Sequence, residues 1–129
     1  MIRLLLVSHS REIAEGTAAL VRQMAGEVEV HAIGGDSEGG LGTDPEEIQR
    51  VIEHAPQDEF LVFMDLGSAV MSAESVREML APEQAGRVHL VDAPFIEGAF
   101  SAGVVAAAGS TVAECVEAAE EARTESKLH

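Results

Sequence analysis

The stretch Ile2-Arg3-Leu4-Leu5-Leu6-Val7-Ser8-His9-Ser10 decides the fold of this chain. Residues 2–7 form a short apolar run typical of a buried strand, and a helical pattern begins directly after Ser10. This junction predicts that His9 lies at the carboxyl edge of a sheet, where open α/β sheets carry ligands and chemistry. A helix that begins at Ser10 presents unpaired N–H groups and its positive dipole end there, which would stabilise an anion near His9. The plain alternative is a histidine that only satisfies a hydrogen bond at the strand end.

Strand-like and helix-like segments alternate along the rest of the chain. Short apolar runs predict strands at residues 2–7, 28–33, 60–64 and 88–91. Helical patterns predict helices at residues 11–25, 45–54, 72–80, 97–108 and 112–123. This alternation predicts an α/β fold, a single-domain doubly wound sheet that is mainly parallel and four-stranded, with helices on both faces. We expect the domain to span residues 1–123 and a polar tail to occupy residues 124–129.

Composition argues against several classes of function. The formal net charge is −15 at pH 7 with only eight Lys and Arg residues, which disfavours nucleic acid because phosphate backbones are bound by basic surfaces. No stretch reaches the roughly 18 apolar residues of a membrane span, so we expect a cytoplasmic protein without membrane contact. Cys115 is the single cysteine and is predicted to be a small buried hydrophobe in a reducing compartment. The acidic surplus fits either ordinary solubility or a saline cytoplasm.

Each predicted strand ends in residues that suggest chemistry, and parallel strands bring these ends to one edge. Asp65 follows the third strand and is the natural partner of His9, because a carboxylate bound to one ring nitrogen leaves the other free as a nucleophile. An equally good interpretation of Asp65 is a cap for the next helix. Gly67 and Ser68 form a turn whose N–H groups and hydroxyl suit phosphoryl oxygens.

The glycine-rich loop at residues 34–43 matches neither common phosphate-binding motif. A dinucleotide fingerprint would follow the first strand, and a phosphate loop needs Gly-Lys-Ser/Thr, whereas Lys127 is the only lysine. The loop is therefore predicted to be a mobile lid or a partner-docking loop, with a plain connection as the alternative. The remaining histidines lack the spacing of a zinc site, so we expect no metal on this chain.

Several motifs in their order along the chain resemble one known family: Val7-Ser8-His9-Ser10, Gly42-Thr43-Asp44, Met64-Asp65-Leu66-Gly67-Ser68-Ala69, Ser72-Ala73-Glu74 and Ala93-Pro94-Phe95-Ile96-Glu97-Gly98. The chain resembles the phosphotransfer subunits of phosphotransferase-system-dependent dihydroxyacetone kinases, which are related to the IIA components of mannose-type sugar transporters. Mannose-type relatives carry Gly-Gly after the strand-three aspartate. The Leu66-Gly67-Ser68 sequence found here favours the dihydroxyacetone branch.

The resemblance implies a phosphotransferase that works through a phosphohistidine. His9 would accept the phosphoryl group from the phosphocarrier HPr and pass it to ADP on the nucleotide-binding kinase subunit. Asp65 would orient the ring, and the groups around Ser10, Thr43, Gly67 and Ser68 would hold the phosphoryl group in transfer. No cofactor is implied, and we expect a homodimer. Because this sequence ends before the HPr-like domain that some relatives append, the phosphoryl group is expected to arrive from a separate protein.

Other functions remain alternatives to the relay. The chain could serve as the IIA component of a mannose-type sugar transporter, or as a non-catalytic binding module that uses its glycine-rich loop. A response-regulator receiver is disfavoured because no acidic pair follows the first strand. A histidine phosphatase is disfavoured because Ser8 stands where Arg-His-Gly would place an arginine before His9.

Overall fold

The computed structural model describes residues 1–128 and contains one four-stranded sheet. Its strands are β1 (Ile2–Ser8), β2 (Glu29–Gly34), β3 (Glu59–Met64) and β4 (Val88–Leu90). All neighbouring strands are parallel, in the order β2-β1-β3-β4. The predicted doubly wound parallel sheet is confirmed, and every strand boundary lies within one residue of its predicted position. His129, the last residue of the predicted tail, lies outside the described residues.

In the part of the chain that the structure describes, six helices connect and flank the strands: α1 (Arg11–Arg22), α2 (Pro45–His54), α3 (Gly67–Met79), α4 (Pro82–Ala85), α5 (Phe95–Ala107) and α6 (Val112–Glu121). Helix α3 begins at Gly67 and not at residue 72 as predicted. Glycine and serine are poor helix formers, but the early start is stabilised because Ala69, Ala73 and Val76 are buried against the sheet. Helix α4 was not predicted. Pro82 ends the α3 region and also occupies the first position of this short helix, a position that proline favours.

The alternating side chains of β1 divide the core into two layers. Leu4 and Leu6 are fully buried with residues of α1, α5 and α6, whereas Leu5 and Val7 are fully buried with residues of α2 and α3. A central strand covered on both faces must be apolar throughout, which is why residues 4–7 read as a continuous apolar run. Within residues 1–128, no helix is long and apolar enough to cross a membrane.

The strand order places a topological switch point between β1 and β3. From β1 the chain crosses to β2 on one side, and it later returns to the other side of β1 to form β3. The connections at the carboxyl ends of β1 and β3 therefore run to opposite faces of the sheet and leave a crevice between them. Residues 8–10 and 65–68 lie at this crevice.

Candidate functional site

His9 lies half-buried immediately after β1, and its ring is held from across the crevice. Its Nδ1 atom is 2.9 Å from the hydroxyl oxygen of Ser68, in the first turn of α3. In the tautomer in which Nδ1–H donates to that hydroxyl, the lone pair is on Nε2. The ring is thus oriented at one nitrogen, and the other nitrogen is available as a nucleophile.

Asp65 binds the main chain around His9 and does not hold its ring. The carboxylate accepts hydrogen bonds from the Ser8 hydroxyl at 2.6 Å and from the backbone N–H groups of His9 and Leu66 at 3.2 and 2.7 Å. The expectation that Asp65 orients the ring is thus corrected, since Ser68 fills that position. The physical reason is direction: Asp65 faces the donors at the ends of β1 and β3, whereas Ser68, the second residue of α3, has its hydroxyl next to the ring. Asp65 does not cap α3 either, because Leu66 is the N-cap residue and has no side-chain cap hydrogen bond.

Ser8 is part of the hydrogen-bond network around His9, although no sequence motif assigns it a role. Its side chain is fully buried, donates to Asp65 and accepts the N–H of Ser10 at 3.0 Å. A buried hydroxyl needs such partners because an unpaired polar group in the core is costly. The available signal was a single polar residue at the end of an otherwise apolar strand.

Thr43 is brought to the same site by the glycine-rich loop. Its Oγ1 atom is 3.4 Å from the hydroxyl of Ser68, and the N–H of the preceding Gly42 donates to the carbonyl of His9 at 2.8 Å. The loop is folded around Asp36, whose Oδ1 accepts two backbone N–H groups, from Glu38 at 2.9 Å and from Gly40 at 2.7 Å. The loop therefore joins the site through its last two residues.

Ser10 has a mainly structural position. Its hydroxyl accepts the N–H of Ile13 and caps α1, and its own N–H is engaged by Ser8. Of the predicted phosphate-binding residues, the structure therefore brings Thr43 and Ser68 into contact with each other and Ser68 into contact with His9. Gly67 occupies the first position of α3, where backbone N–H groups have no partner within the helix.

The electrostatic surroundings of His9 include the carboxylate of Asp65, which accepts the His9 backbone N–H, and the ends of two helices. The first turns of α1 and α3 both lie beside the crevice, and the positive ends of their dipoles favour an anion. Arg11 is the cation next to His9 along the chain, but its guanidinium pairs with Glu47 at 3.4 Å and Glu15 at 3.7 Å. Among residues 1–128, no cluster of three or more His, Cys, Asp or Glu side chains is arranged to hold a metal ion.

Two other features of the molecule lie away from this site. A cleft of about 830 Å³ is lined by Glu59, His89 and residues of α6. Glu59 begins β3, so the cleft extends toward the opposite edge of the sheet from His9. Cys115 is a fully buried residue of α6, and burial raises the pKa of its thiol. A raised pKa and burial suit a packing role, not a nucleophile.

Comparison with known proteins gives consistent findings. The sequence model of the EIIA-man family, described as the PTS system fructose IIA component, matches residues 3–119. A relative in Escherichia coli (strain K12), the phosphoryl donor subunit DhaM of the PEP-dependent dihydroxyacetone kinase, is 41% identical over 117 residues. That match covers 87% of this chain but only 25% of the relative, so the chain spans about a quarter of that protein's length.

Two further matches cover most of this chain and most of the matched protein. The phosphotransferase subunit DhaM of the PTS-dependent dihydroxyacetone kinase of Lactococcus lactis subsp. lactis (strain IL1403) is 39% identical over 108 residues, which is 84% of this chain and 85% of the relative. The crystal structure of the unknown-function protein EF1359 superposes with a TM-score of 0.90 at 41% identity. That superposition covers 99% of this chain and 98% of the other.

Proposed function

The chain belongs to the EIIA-man family, the PTS system fructose IIA component, and on this premise we propose that it is a phosphoryl relay protein of a phosphoenolpyruvate-dependent dihydroxyacetone kinase. His9 accepts a phosphoryl group from HPr and passes it to ADP on the nucleotide-binding kinase subunit. The observation that carries the proposal is the His9 ring held by Ser68 at the switch point of the sheet. The names of the relatives, which are phosphoryl donor and phosphotransferase subunits, supply the kinase system.

The first transfer step uses Nε2 of His9 as the nucleophile. Its lone pair attacks the phosphorus of phospho-HPr, the new Nε2–P bond forms, and the P–N bond of the donor breaks with its electron pair returning to the donor ring. The transition state resembles metaphosphate, so catalysis depends on positioning and charge stabilisation. Ser68 supplies the positioning by holding Nδ1.

In the second step, His9 is the phosphoryl donor and ADP is the acceptor. A terminal phosphate oxygen of ADP attacks the phosphorus, the Nε2–P bond breaks, and Nε2 regains its lone pair. The first N–H groups of α3 and the hydroxyl of Thr43 lie near Ser68 at the same crevice, and the positive helix end there favours the negative charge of a phosphoryl group on the ring. This chain then acts as the phosphotransferase component of the phosphoenolpyruvate–glycerone reaction.

Cellular setting and assembly belong to the same proposal. Residues 1–123 form the phosphotransfer domain, the protein works in the cytoplasm, and two copies form a homodimer. The outer face of α5 is a candidate interface because Val104 is exposed, whereas Ala102 and Gly103 on the inner face are buried. Light scattering tests the dimer: a mass near the monomer value of 13.6 kDa at micromolar concentration would contradict it.

A second candidate function is the IIA component of a sugar transporter. The family description, which names a fructose IIA component, favours it. Both functions share the phosphohistidine and differ only in the acceptor. Chemistry at His9 therefore does not separate them, and the acceptor must be tested directly.

Reconstituted phosphotransfer tests the proposal. The chain is incubated with phosphoenolpyruvate, enzyme I and HPr, and its mass is expected to increase by one phosphoryl group in an acid-labile linkage. His9→Ala is expected to remain unmodified; a phosphorylated His9→Ala variant or an acid-stable linkage would contradict the relay. Phosphorylated protein is then mixed with ADP-bound kinase subunits and, separately, with a mannose-type IIB domain. Transfer to IIB alone would favour the transporter, and no modification of His9 at all would favour a binding module.

A further inference from the structure

The glycine-rich loop between β2 and α2 closes on itself beside the site. Gly35 and Thr43 form an isolated parallel β-bridge, which brings the two ends of the loop together. The start of the loop also packs against the junction that follows β1, since a Cβ atom at Gly34 would lie 2.6 Å from the carbonyl oxygen of Ser10. Residues 36–42 are enclosed between the bridged positions, so their conformation determines where the end of the loop lies.

The end of the loop contacts His9 in two ways. The N–H of Gly42 donates to the main-chain carbonyl of His9 at 2.8 Å. The Oγ1 atom of Thr43 is 3.4 Å from the hydroxyl oxygen of Ser68, which is itself 2.9 Å from Nδ1 of His9. When Ser68 accepts the Nδ1–H, its own hydroxyl hydrogen is available to Thr43. The loop therefore acts on the backbone of His9 directly and on its ring through Ser68.

Asp36 is the residue around which the loop is folded. Its Oδ1 atom accepts the backbone N–H groups of Glu38 at 2.9 Å and Gly40 at 2.7 Å, and its own N–H donates to the carbonyl of Gly40 at 2.9 Å. Gly42 packs against the same side chain, because a Cβ atom at Gly42 would lie 3.3 Å from Cβ of Asp36. Aspartate is favoured in such turns because its side chain binds backbone N–H groups shortly after it in sequence.

The other residues of the segment do not restrain it in this way. Gly39, Gly40 and Gly42 have no side chain, and glycine gives a backbone more conformational freedom than any other residue. Glu38 is exposed and takes part through its backbone N–H. Asp36, in contrast, is half-buried and connects three points of the loop.

We propose that Asp36 is a positioning residue for phosphoryl transfer, because it fixes the loop that holds Gly42 on the carbonyl of His9 and Thr43 beside Ser68. This inference rests on the proposed relay function and adds a residue that acts on His9 only through others. The loop then serves as a fixed wall of the site. A misplacement of reacting groups by about 1 Å can cost about 100-fold in rate, so loss of this restraint slows the transfer.

Three variants separate the acceptor oxygen of Asp36 from its charge. Asp36→Ala removes the acceptor of both backbone N–H groups. Asp36→Asn keeps a side-chain oxygen that can accept them and removes the charge. Glu38→Ala is the matched control, because it removes a carboxylate of the same charge from the exposed surface of the same loop.

Two measurements are made on each protein, and neither needs a protein donor. The rate of phosphorylation is measured with phosphoramidate, whose P–N bond breaks with release of ammonia as the Nε2–P bond of His9 forms. Hydrogen exchange of the Gly42 N–H is measured by NMR without any donor. The exchange of the Leu5 N–H in the central strand and the urea midpoint report on the rest of the fold.

Asp36→Ala is expected to be phosphorylated about 10- to 100-fold more slowly than the wild type. Its Gly42 N–H is expected to exchange at least about tenfold faster, because the loop opens locally, with unchanged Leu5 exchange and urea midpoint. Asp36→Asn and Glu38→Ala are expected to stay within about threefold of the wild type in both measurements, because the acceptor oxygen is retained.

Several outcomes would overturn the inference. One is an Asp36→Ala protein with the rate and the Gly42 exchange of the wild type. Another is an Asp36→Asn protein as slow as Asp36→Ala, because the effect would then come from charge. A lowered urea midpoint or an unfolded Asp36→Ala protein would show that Asp36 supports the whole fold and does not position His9.

Failure of the relay function is recognised separately, in the wild type. If the unaltered protein reacts with neither phosphoramidate nor phospho-HPr, His9 is not a phosphoryl carrier, and Asp36 has no transfer to assist. If the wild type reacts and only the Asp36 variants depart from the expected order, the relay function stands and the role of Asp36 is refuted.

Discussion

His9 Nδ1 lies 2.9 Å from Ser68 Oγ, so a neutral hydroxyl and not a carboxylate orients the ring of the nucleophile. A hydroxyl both donates and accepts hydrogen bonds. It fixes one ring nitrogen without adding a negative charge that would repel the incoming, negatively charged phosphoryl group. The carboxylate of Asp65 instead accepts hydrogen bonds from the Ser8 hydroxyl and from the backbone N–H of His9, and so holds the main chain at His9 in place. Orientation and scaffolding are thus divided between two residues of the same β3–α3 connection.

Ser68→Ala is expected to slow phosphoryl transfer while leaving the fold intact. Loss of one neutral hydrogen bond corresponds to about 3- to 10-fold in rate. Single-turnover transfer from phospho-HPr measures the effect. Ser75→Ala, an exposed position in the same helix, serves as the control; equal rates for both variants would show that the hydroxyl of Ser68 does not position the ring.

Asp65→Asn is expected to lower stability and transfer rate together. The amide keeps one acceptor oxygen but turns an NH₂ group toward donors, and loss of hydrogen bonds to a charged group costs about 1.5–3 kcal/mol. Urea denaturation measures the free energy of unfolding. Asp92→Asn is the control, because that side chain is 81% exposed and pairs with Arg123 on the surface. Unchanged stability with a reduced rate would mean that Asp65 acts on the ring after all.

Gly34→Ala is expected to destabilise the junction that carries His9. A Cβ atom at Gly34 would lie 2.6 Å from the carbonyl oxygen of Ser10 and 2.9 Å from the Cα atom of Arg11. Overpacking against backbone of this kind costs about 1–3 kcal/mol. Thermal and urea unfolding, together with the transfer rate, measure both effects.

The control for that substitution is Gly16→Ala in α1. A Cβ atom there meets nothing within 4 Å, and alanine in a helix interior is favoured over glycine by about 0.5–1 kcal/mol. The two variants are therefore expected to change stability in opposite directions. A Gly34→Ala protein of unchanged stability would contradict the close packing of Gly34 against Ser10 and Arg11. A destabilised Gly16→Ala protein would contradict the open space beside Gly16.

Asp58 is expected to make stability depend on pH at the amino edge of the sheet. A hydrogen bond from Arg3 at 2.6 Å holds the pKa of the Asp58 carboxyl below its usual value. The stabilisation is therefore present above the pKa of an unfolded aspartate and is lost as the pH falls through the lower folded-state pKa. Asp58→Asn should cost no more than about 1 kcal/mol at pH 7.

Urea unfolding of wild type and Asp58→Asn across the acidic range tests this linkage. The two curves of stability against pH are expected to approach each other as the pH falls below about 4, the pKa of an unfolded aspartate, and to converge only below the lower folded-state pKa, where the aspartate is protonated in both states. A difference that persists unchanged to low pH would assign the effect of the substitution to packing and not to the ion pair with Arg3.

The strands and the position of His9 could be predicted because their signals are local. Residues 4–7 are apolar on both faces, which is the pattern of a central parallel strand, and the change to a helical pattern after Ser10 places His9 at the edge. The start of α3 could not be predicted in this way. Gly67 and Ser68 favour a turn by propensity, and only the burial of Ala69 and Ala73 on the sheet makes them helical.

The sequence by itself determined a parallel α/β sheet with His9, Asp65 and Ser68 at one edge, because apolar periodicity and strand–helix alternation depend on residues that are close together in sequence. Tertiary structure alone decided which of them touches the ring. Asp65 and Ser68 are only three positions apart, and their directions depend on where α3 begins and how it packs. Packing starts the helix at Gly67, so the hydroxyl of Ser68 reaches His9 and the carboxylate of Asp65 turns back to the backbone of β1.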